Sequence, residues 1–201
     1  MKNNYFKEIL AIRGMGQVIS VTAALCVMTI VFGIINPSFF SGENTTNLLR
    51  QVVPIMIIGI GQSFVMITGG IDLSIGSVAG MSSMISATLM TKGGMDPWVA
   101  SGVTLAACCL VGLVNGLLVS LTKLPAFIAT LGTYVSVRGL ALLYSDGRPI
   151  STLTESYQYI GQGYILGIPV PVILFLAFAF VTWVMLNHTK FGKNIYAIGG
   201  N

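Results

Sequence analysis

The chain has 201 residues, of which 54% are hydrophobic and 8% charged, and its mean hydropathy is +0.86. Soluble domains carry about 25% charged residues, so this composition excludes an ordinary water-soluble fold and points to an integral membrane protein. The formal net charge is +4, but the ten Lys and Arg residues are scattered singly among apolar runs and form no basic stripe, which argues against nucleic acid as a partner.

Runs long enough to cross about 30 Å of hydrocarbon fall near 15–35, 52–68, 73–90, 97–121, 124–144 and 169–187. The expected fold is therefore all-α, a polytopic transmembrane helix bundle of about six spans. No Pro/Ser-rich or charge-rich linker divides it, so residues 1–201 read as a single domain. The first run follows Lys2, Lys7 and Arg13 as a signal peptide would. Its apolar length of about 20 residues, with no A-x-A-like site at INPSFFSG, predicts an anchor that stays attached. An even number of spans puts both termini on one face. Placing them in the cytoplasm also puts Lys123, Lys190 and Lys193 there, against Arg50, Lys92 and Arg148 outside, which predicts N-in, C-in. Cys26, Cys108 and Cys109 lie within apolar runs and read as small buried hydrophobes.

The spans differ in texture. The first and last, VTAALCVMTIVFGII and VPVILFLAFAFVTWVML, are smooth, whereas the middle ones carry glycines and polar side chains. The second and third runs are short, about 17 and 18 residues, and meet at GGIDLSIGS, residues 69–77. Short helices interrupted by glycine point to segments lining a pathway. Gly69 and Gly70 can adopt positive φ and end one helix, and Asp72 can then cap the next. A carboxylate is expensive at membrane depth, so Asp72 reads either as that cap or as a charged functional group. The spacing of Gly76 and Gly80, and of Gly112 and Gly116, predicts close helix packing.

In the 124–144 run, at 100° per residue, Phe127, Tyr134 and Arg138 fall on one line with Thr130 beside it. That stripe is polar and aromatic, although Arg138 lies about 9 Å from the outer end and could snorkel to the interface. Ser74 and Ser77 share a face of the third run. Gln62 and Asn115 are costlier to bury unpaired than serines and rank above them as pathway or gating candidates. The only histidine, His188, follows the last span with no acid near it, so no metal site is expected. The sequence contains no G-x-x-x-x-G-K-[ST], no HExxH and no G-x-S-x-G, so ATP binding by a P-loop and the common hydrolase chemistries have no support.

Three blocks in order carry a resemblance: GQSFVMITGGIDLSIGSVAG, GLVNGLLVSLTKLPAFIATLGTYVSVRGLALLYSDGRPI and TKFGKNIYAIGGN. From about residue 45 to its end the chain resembles the permease subunits of bacterial ABC importers for ribose, galactose and related monosaccharides. The resemblance implies a multi-pass protein of the bacterial cytoplasmic membrane. Its partners would be a cytoplasmic ABC ATPase, a periplasmic or lipid-anchored sugar-binding protein, and a second permease copy or homologue. ATP would be used by the partner, with no cofactor and no catalytic residue in this chain. Sugars pack their C–H faces on aromatic rings and pair their hydroxyls with polar groups. Under that reading Gln62, Asp72, Ser74, Asn115, Phe127, Thr130, Tyr134 and Arg138 are candidates for the substrate pathway. Phe191, Gly192, Lys193, Gly199, Gly200 and Asn201 lead toward the segment that engages the ATPase. Members of that family continue past FGKNIYAIGGN through further spans, so the chain reads as the N-terminal part of the usual length. Two other readings remain at this level: a truncated, non-transporting remnant or scaffold, and an ion-coupled carrier in which Asp72 titrates.

Overall fold

An apolar segment in lipid must satisfy its own backbone hydrogen bonds, and a single segment does so only as a helix. The computed structural model describes residues 15–151 and 153–200, so Lys2, Lys7, Arg13 and Asn201 lie outside the described residues. Among the described residues there are eight α-helices: α1 (Met15–Ile35), α2 (Gly42–Ile67), α3 (Ile75–Thr91), α4 (Pro97–Thr122), α5 (Ala126–Ser145), α6 (Glu155–Gln162), α7 (Val170–His188) and α8 (Lys190–Gly199). A 3-10 turn, Pro37–Phe40, precedes α2, and a two-stranded antiparallel hairpin of β1 (Tyr164–Ile165) and β2 (Ile168–Pro169) precedes α7. Five helices, α1, α2, α4, α5 and α7, are long and apolar enough to cross a membrane, and α3 is a shorter apolar helix of 17 residues. The chain is thus the all-α polytopic bundle its hydropathy predicts.

The chain divides into two compact units, one up to Leu48 and one from Leu49 onward. In the first, no residue of α1 is buried. Its three hydroxyl side chains, Ser20, Thr22 and Thr29, each donate to the carbonyl four residues back, which leaves no hydroxyl unpaired toward lipid. The turn after α1 is held by Asn36, whose Oδ1 accepts from Ser38 N at 3.0 Å, and by Asn44, whose Nδ2 donates to the Phe39 carbonyl at 2.7 Å.

In the second unit α3 lies against both α4 and α5. It buries Ser77, Met81, Ser86, Ala87, Thr88 and Met90, a mixture that would be a poor core in water. Among the described residues as many polar as hydrophobic side chains are buried, and the large apolar ones face outward. This is the arrangement lipid imposes, because hydrocarbon gives no reason to hide leucine and every reason to hide hydroxyls and amides.

Three expectations are corrected. First, α2 begins at Gly42 and runs for 26 residues, so it is not short. Its opening turns, GENTTNLLRQ, are polar, and hydropathy alone misses them. Ser41 Oγ accepts from Asn44 N at 3.2 Å, and Glu43 sits in the first turn, where the helix dipole favours an acid. Second, Gly76, Gly80, Gly112 and Gly116 do not mediate close packing: a Cβ built on any of them meets no heavy atom within 4 Å. They make space. Third, the cysteines are not buried. Cys26 and Cys109 are exposed and Cys108 is half-buried, because their helices turn those faces outward.

Beyond α5 the chain forms a small cap. Tyr157 on α6 donates its hydroxyl to Ser86 Oγ at 3.3 Å, and Tyr159 donates to the Tyr164 carbonyl at 2.7 Å. Arg50 of α2 donates to the Gln162 carbonyl and lies over the Tyr164 ring, 4.8 Å from its centroid.

Candidate functional site

The break between α2 and α3 is built by local chemistry. The α2 helix closes in a Schellman motif, with Gly69 N donating to Met66 O and Gly70 N to Val65 O, each at 3.0 Å. Gly69 has φ of +83°, which a residue with a Cβ adopts only at a cost. The chain then runs without helical structure until Ser74, the N-cap residue of α3. Asp72 is therefore not the N-cap, as its spacing from the glycines suggests, but sits two residues ahead of it. Its Oδ1 accepts from Ser74 N at 2.8 Å and from Ser74 Oγ at 2.6 Å. The carboxylate folds the turn and aims the Ser74 hydroxyl.

Three helices grip this turn. From α2, the Gln62 side-chain amide faces both main-chain groups of Asp72 at 3.2 Å, and the hydrogen-bonding pattern assigns its nitrogen to the Asp72 carbonyl and its oxygen to the Asp72 N–H. From α5, Thr130 Oγ1 accepts from Leu73 N at 3.1 Å and lies 3.3 Å from the Ile71 carbonyl. From α4, Asn115 Nδ2 donates to Ser74 Oγ at 2.9 Å, while Asn115 Oδ1 accepts from Thr133 Oγ1 of α5 at 2.5 Å. Ser74 is 1% exposed, Asn115 and Thr130 are also buried, and Gln62, Asp72 and Thr133 are half-buried, so the centre of the layer is shielded and its members satisfy one another. Five sequence candidates, Gln62, Asp72, Ser74, Asn115 and Thr130, are thus brought together. Thr133 was missed, although it stands three residues beyond Thr130 and shares its face of α5.

Two cavities that take in sequence candidates adjoin this region, besides an apolar groove of about 480 Å³ between α4 and α5 that includes Thr133. The first, of about 480 Å³, is lined by Asp72, Asn115, Thr130, Gly112, Gly116 and Ile198 among others. The second, of about 420 Å³, is lined by Gly76, Ser77, Gly80, Met84, Tyr134 and Arg138 together with the end of α5. Both fall in the range of roughly 300–1,000 Å³ typical of small-molecule sites. The glycine pairs that fail to pack helices closely are the ones whose missing side chains open these spaces. Tyr134 and Arg138 form a pair within α5, with Arg138 NH1 donating to the Tyr134 hydroxyl at 2.6 Å. Phe127 does not join them. It is half exposed and lines neither cavity, because one helical line of about three turns is too long for both ends to face one space.

The α8 helix docks beneath the same break. Phe191 meets Phe64 of α2 at 6.4 Å between ring centroids, and Ile198 lines the first cavity. Gly199 sits so close to the Ile67 carbonyl that a Cβ there would overlap its oxygen, and Gly192 is packed the same way on the Leu186 carbonyl. Lys193 is exposed, and Gly200 N closes the helix on the Tyr196 carbonyl at 3.0 Å. Among the described residues no three His, Cys, Asp or Glu side chains are grouped to hold a metal ion.

Similarity to known proteins agrees with this architecture. The family described as "Branched-chain amino acid transport system / permease component" matches residues 44–201. The ribose import permease protein RbsC of Bacillus subtilis is 43% identical over 94% of this chain and 59% of its own length. The corresponding protein of Haemophilus influenzae is 41% identical over 89% of this chain and 56% of its own. The D-allose transport system permease protein AlsC of Escherichia coli is 36% identical, over 88% and 55% respectively. The chain therefore spans little more than half the length of these curated relatives. No solved structure matches it. A polytopic helix bundle, a glycine-bounded break at Asp72 and these matches together establish that the chain belongs to the branched-chain amino acid transport system / permease component family.

Proposed function

We propose that the chain forms the membrane pathway of an ABC importer for a monosaccharide of the ribose, allose or galactose class, driven by a separate ATPase. The observation that carries this reading is the identity of 43% over 94% of the chain to a protein named as a ribose import permease. The site supports it with two cavities of small-molecule size, one of them offering Tyr134 and Arg138 as an aromatic face and a hydrogen-bond donor. The layer of Ser74, Asn115 and Thr133 between them acts as a closed partition, which opens when α4 or α5 moves relative to the α2–α3 break. The α8 helix, seated on Ile67 and Phe64, carries motion from the ATPase side to that break. The termini then lie in the cytoplasm of the bacterial inner membrane, as the distribution of Lys and Arg favours. A binding protein delivers the sugar from outside, and a second permease copy or homologue completes the assembly.

Uptake of labelled ribose, allose, galactose and leucine tests this in cells expressing the chain with its ATPase and binding protein. Sugar uptake abolished by vanadate and unaffected by collapse of the proton gradient is the expected result. The reverse inhibitor pattern would overturn it in favour of an ion-coupled carrier titrating Asp72. Uptake of leucine alone would return the amino-acid substrate that the family description carries.

A further inference from the structure

We propose that the β1–β2 hairpin is a membrane-interface anchor, with Leu166 at its tip inserted among phospholipid headgroups and upper acyl chains. The turn itself is the first observation. Leu166 and Gly167 both have positive φ, 52° and 81°, the sign pattern of a type I′ hairpin turn. The first of these positions favours Asn or Gly, because other side chains pay a steric cost in that conformation. Here it carries a leucine that is 98% exposed and gains nothing from the rest of the chain. An exposed leucine in a disfavoured conformation is explained by a gain outside the protein.

The second observation is position along the membrane normal. The α7 helix begins directly after the hairpin, and its 19 residues are about 28 Å long at 1.5 Å per residue, close to the thickness of the hydrocarbon core. Pro169 therefore lies near the hydrocarbon boundary. Leu166 is three residues away, at most about 10 Å along the strand, so a hairpin tilted by about 45° or more from the normal holds its tip within the headgroup zone, which is about 5–8 Å deep on each side.

The third observation is chemical. No charged side chain occurs between Glu155 and Lys190, so nothing on the hairpin opposes entry into the interface. Its free surface consists of Tyr164, Ile165, Leu166 and Ile168, all substantially exposed and continuous with the apolar flank of α7. Tyrosine with an adjacent arginine is the composition found at headgroup level, and Arg50 lies over the Tyr164 ring. A soluble protein docking here would be expected to meet some charge. Lipid requires none.

The test uses the chain in nanodiscs of phosphatidylcholine and phosphatidylglycerol, with Cys26, Cys108 and Cys109 replaced by alanine. Spin labels are placed at Leu166→Cys and Ile168→Cys, with Leu176→Cys as the lipid reference and Ser156→Cys as the water reference. Leu166 and Ile168 are exposed enough for labelling to leave the fold intact, which the unchanged helical circular dichroism of each variant verifies. The expected result is more frequent collision with oxygen than with a water-soluble nickel chelate at 166 and 168, as at 176. Collision ratios at both positions equal to that at 156 would overturn the proposal and leave the hairpin as a docking surface for an aqueous partner.

Discussion

Asp72 and Arg138 are both charged groups set within apolar sequence, and the fold treats them in opposite ways. Asp72 is half-buried and belongs to a hydrogen-bonded layer drawn from α2, α3, α4 and α5. Arg138 is exposed to a cavity, and its bonded partner, Tyr134, is one turn back on its own helix. The first arrangement fixes a joint between helices. The second leaves a cation and an aromatic ring free to meet something that is not protein. A carboxylate that accepts from the N–H and the hydroxyl of Ser74 in its own turn is expected to matter for stability, while a guanidinium facing open space is expected to matter for what enters that space.

The sharpest way to break the contrast is at Asp72 itself. Asp72→Leu removes both bonds to Ser74 and should lower the free energy of unfolding in detergent by about 3 kcal/mol, since bonds to a charged group contribute roughly 1.5–3 kcal/mol each. Asp72→Asn keeps an acceptor for Ser74 and should cost about 1 kcal/mol. Equal losses would mean that charge, rather than the acceptor, holds the turn, and Asp72 would then resemble Arg138 more than its geometry implies. Asn115→Ala comes next. It removes the bonds to Ser74 Oγ and from Thr133 Oγ1, which keep their other partners, Asp72 Oδ1 and the Ala129 carbonyl, and should cost about 2 kcal/mol, because each lost hydrogen bond contributes about 1 kcal/mol. A double-mutant cycle with Thr133→Val measures whether the layer acts as a unit, and a coupling energy near zero would dissolve it into separate bonds.

A comparable effect is expected where α8 buttresses the break. Gly199→Ala drives a Cβ into the backbone of Ile67, which cannot yield as a flexible side chain would, and should cost about 2 kcal/mol, in the middle of the range for overpacking. Hydrogen exchange of residues 190–200 should accelerate while that of α5, around Arg138, stays unchanged. Spread of the effect into α5 would show that the two regions are not as separate as their contacts suggest.

Sequence pattern made much of the bundle readable, because length and hydropathy report directly on a solvent as demanding as lipid. The helix ends α1, α4, α5 and α7 fall within two residues of the apolar runs that predict them. The start of α2 was hidden, since its first turns are polar and their helicity depends on Ser41 and Glu43 rather than on hydropathy. The glycines were misread for a related reason. Spacing says which residues share a face, and nothing in it says whether that face meets another helix or a void. Within the polar layer Gln62, Asn115 and Asp72 could be named singly from the cost of burying an amide or a carboxylate in hydrocarbon, whereas Thr133 could not. Their meeting could not, because Ser74, Asn115 and Thr133 come from three separate elements. The role of Gly199 was equally invisible, since its close neighbour, Ile67, is remote in sequence.

The mildest change in stability is expected at Arg138, and it is the most informative about function. Arg138→Ala removes a side chain that braces no other helix, so unfolding should shift by no more than about 0.5 kcal/mol. Tyr134→Phe keeps the ring and loses only the hydroxyl that accepts from Arg138. If the second cavity receives a sugar, Arg138→Ala should reduce uptake severely, and Tyr134→Phe should reduce it less because the aromatic face survives. Membrane insertion and unfolding should follow wild type in both variants. Parallel loss of uptake and of folded protein would assign Arg138 to the structure of α5 alone. Full uptake in both variants would move the sugar to the first cavity, where Asp72, Asn115 and Thr130 would have to hold a ligand as well as one another.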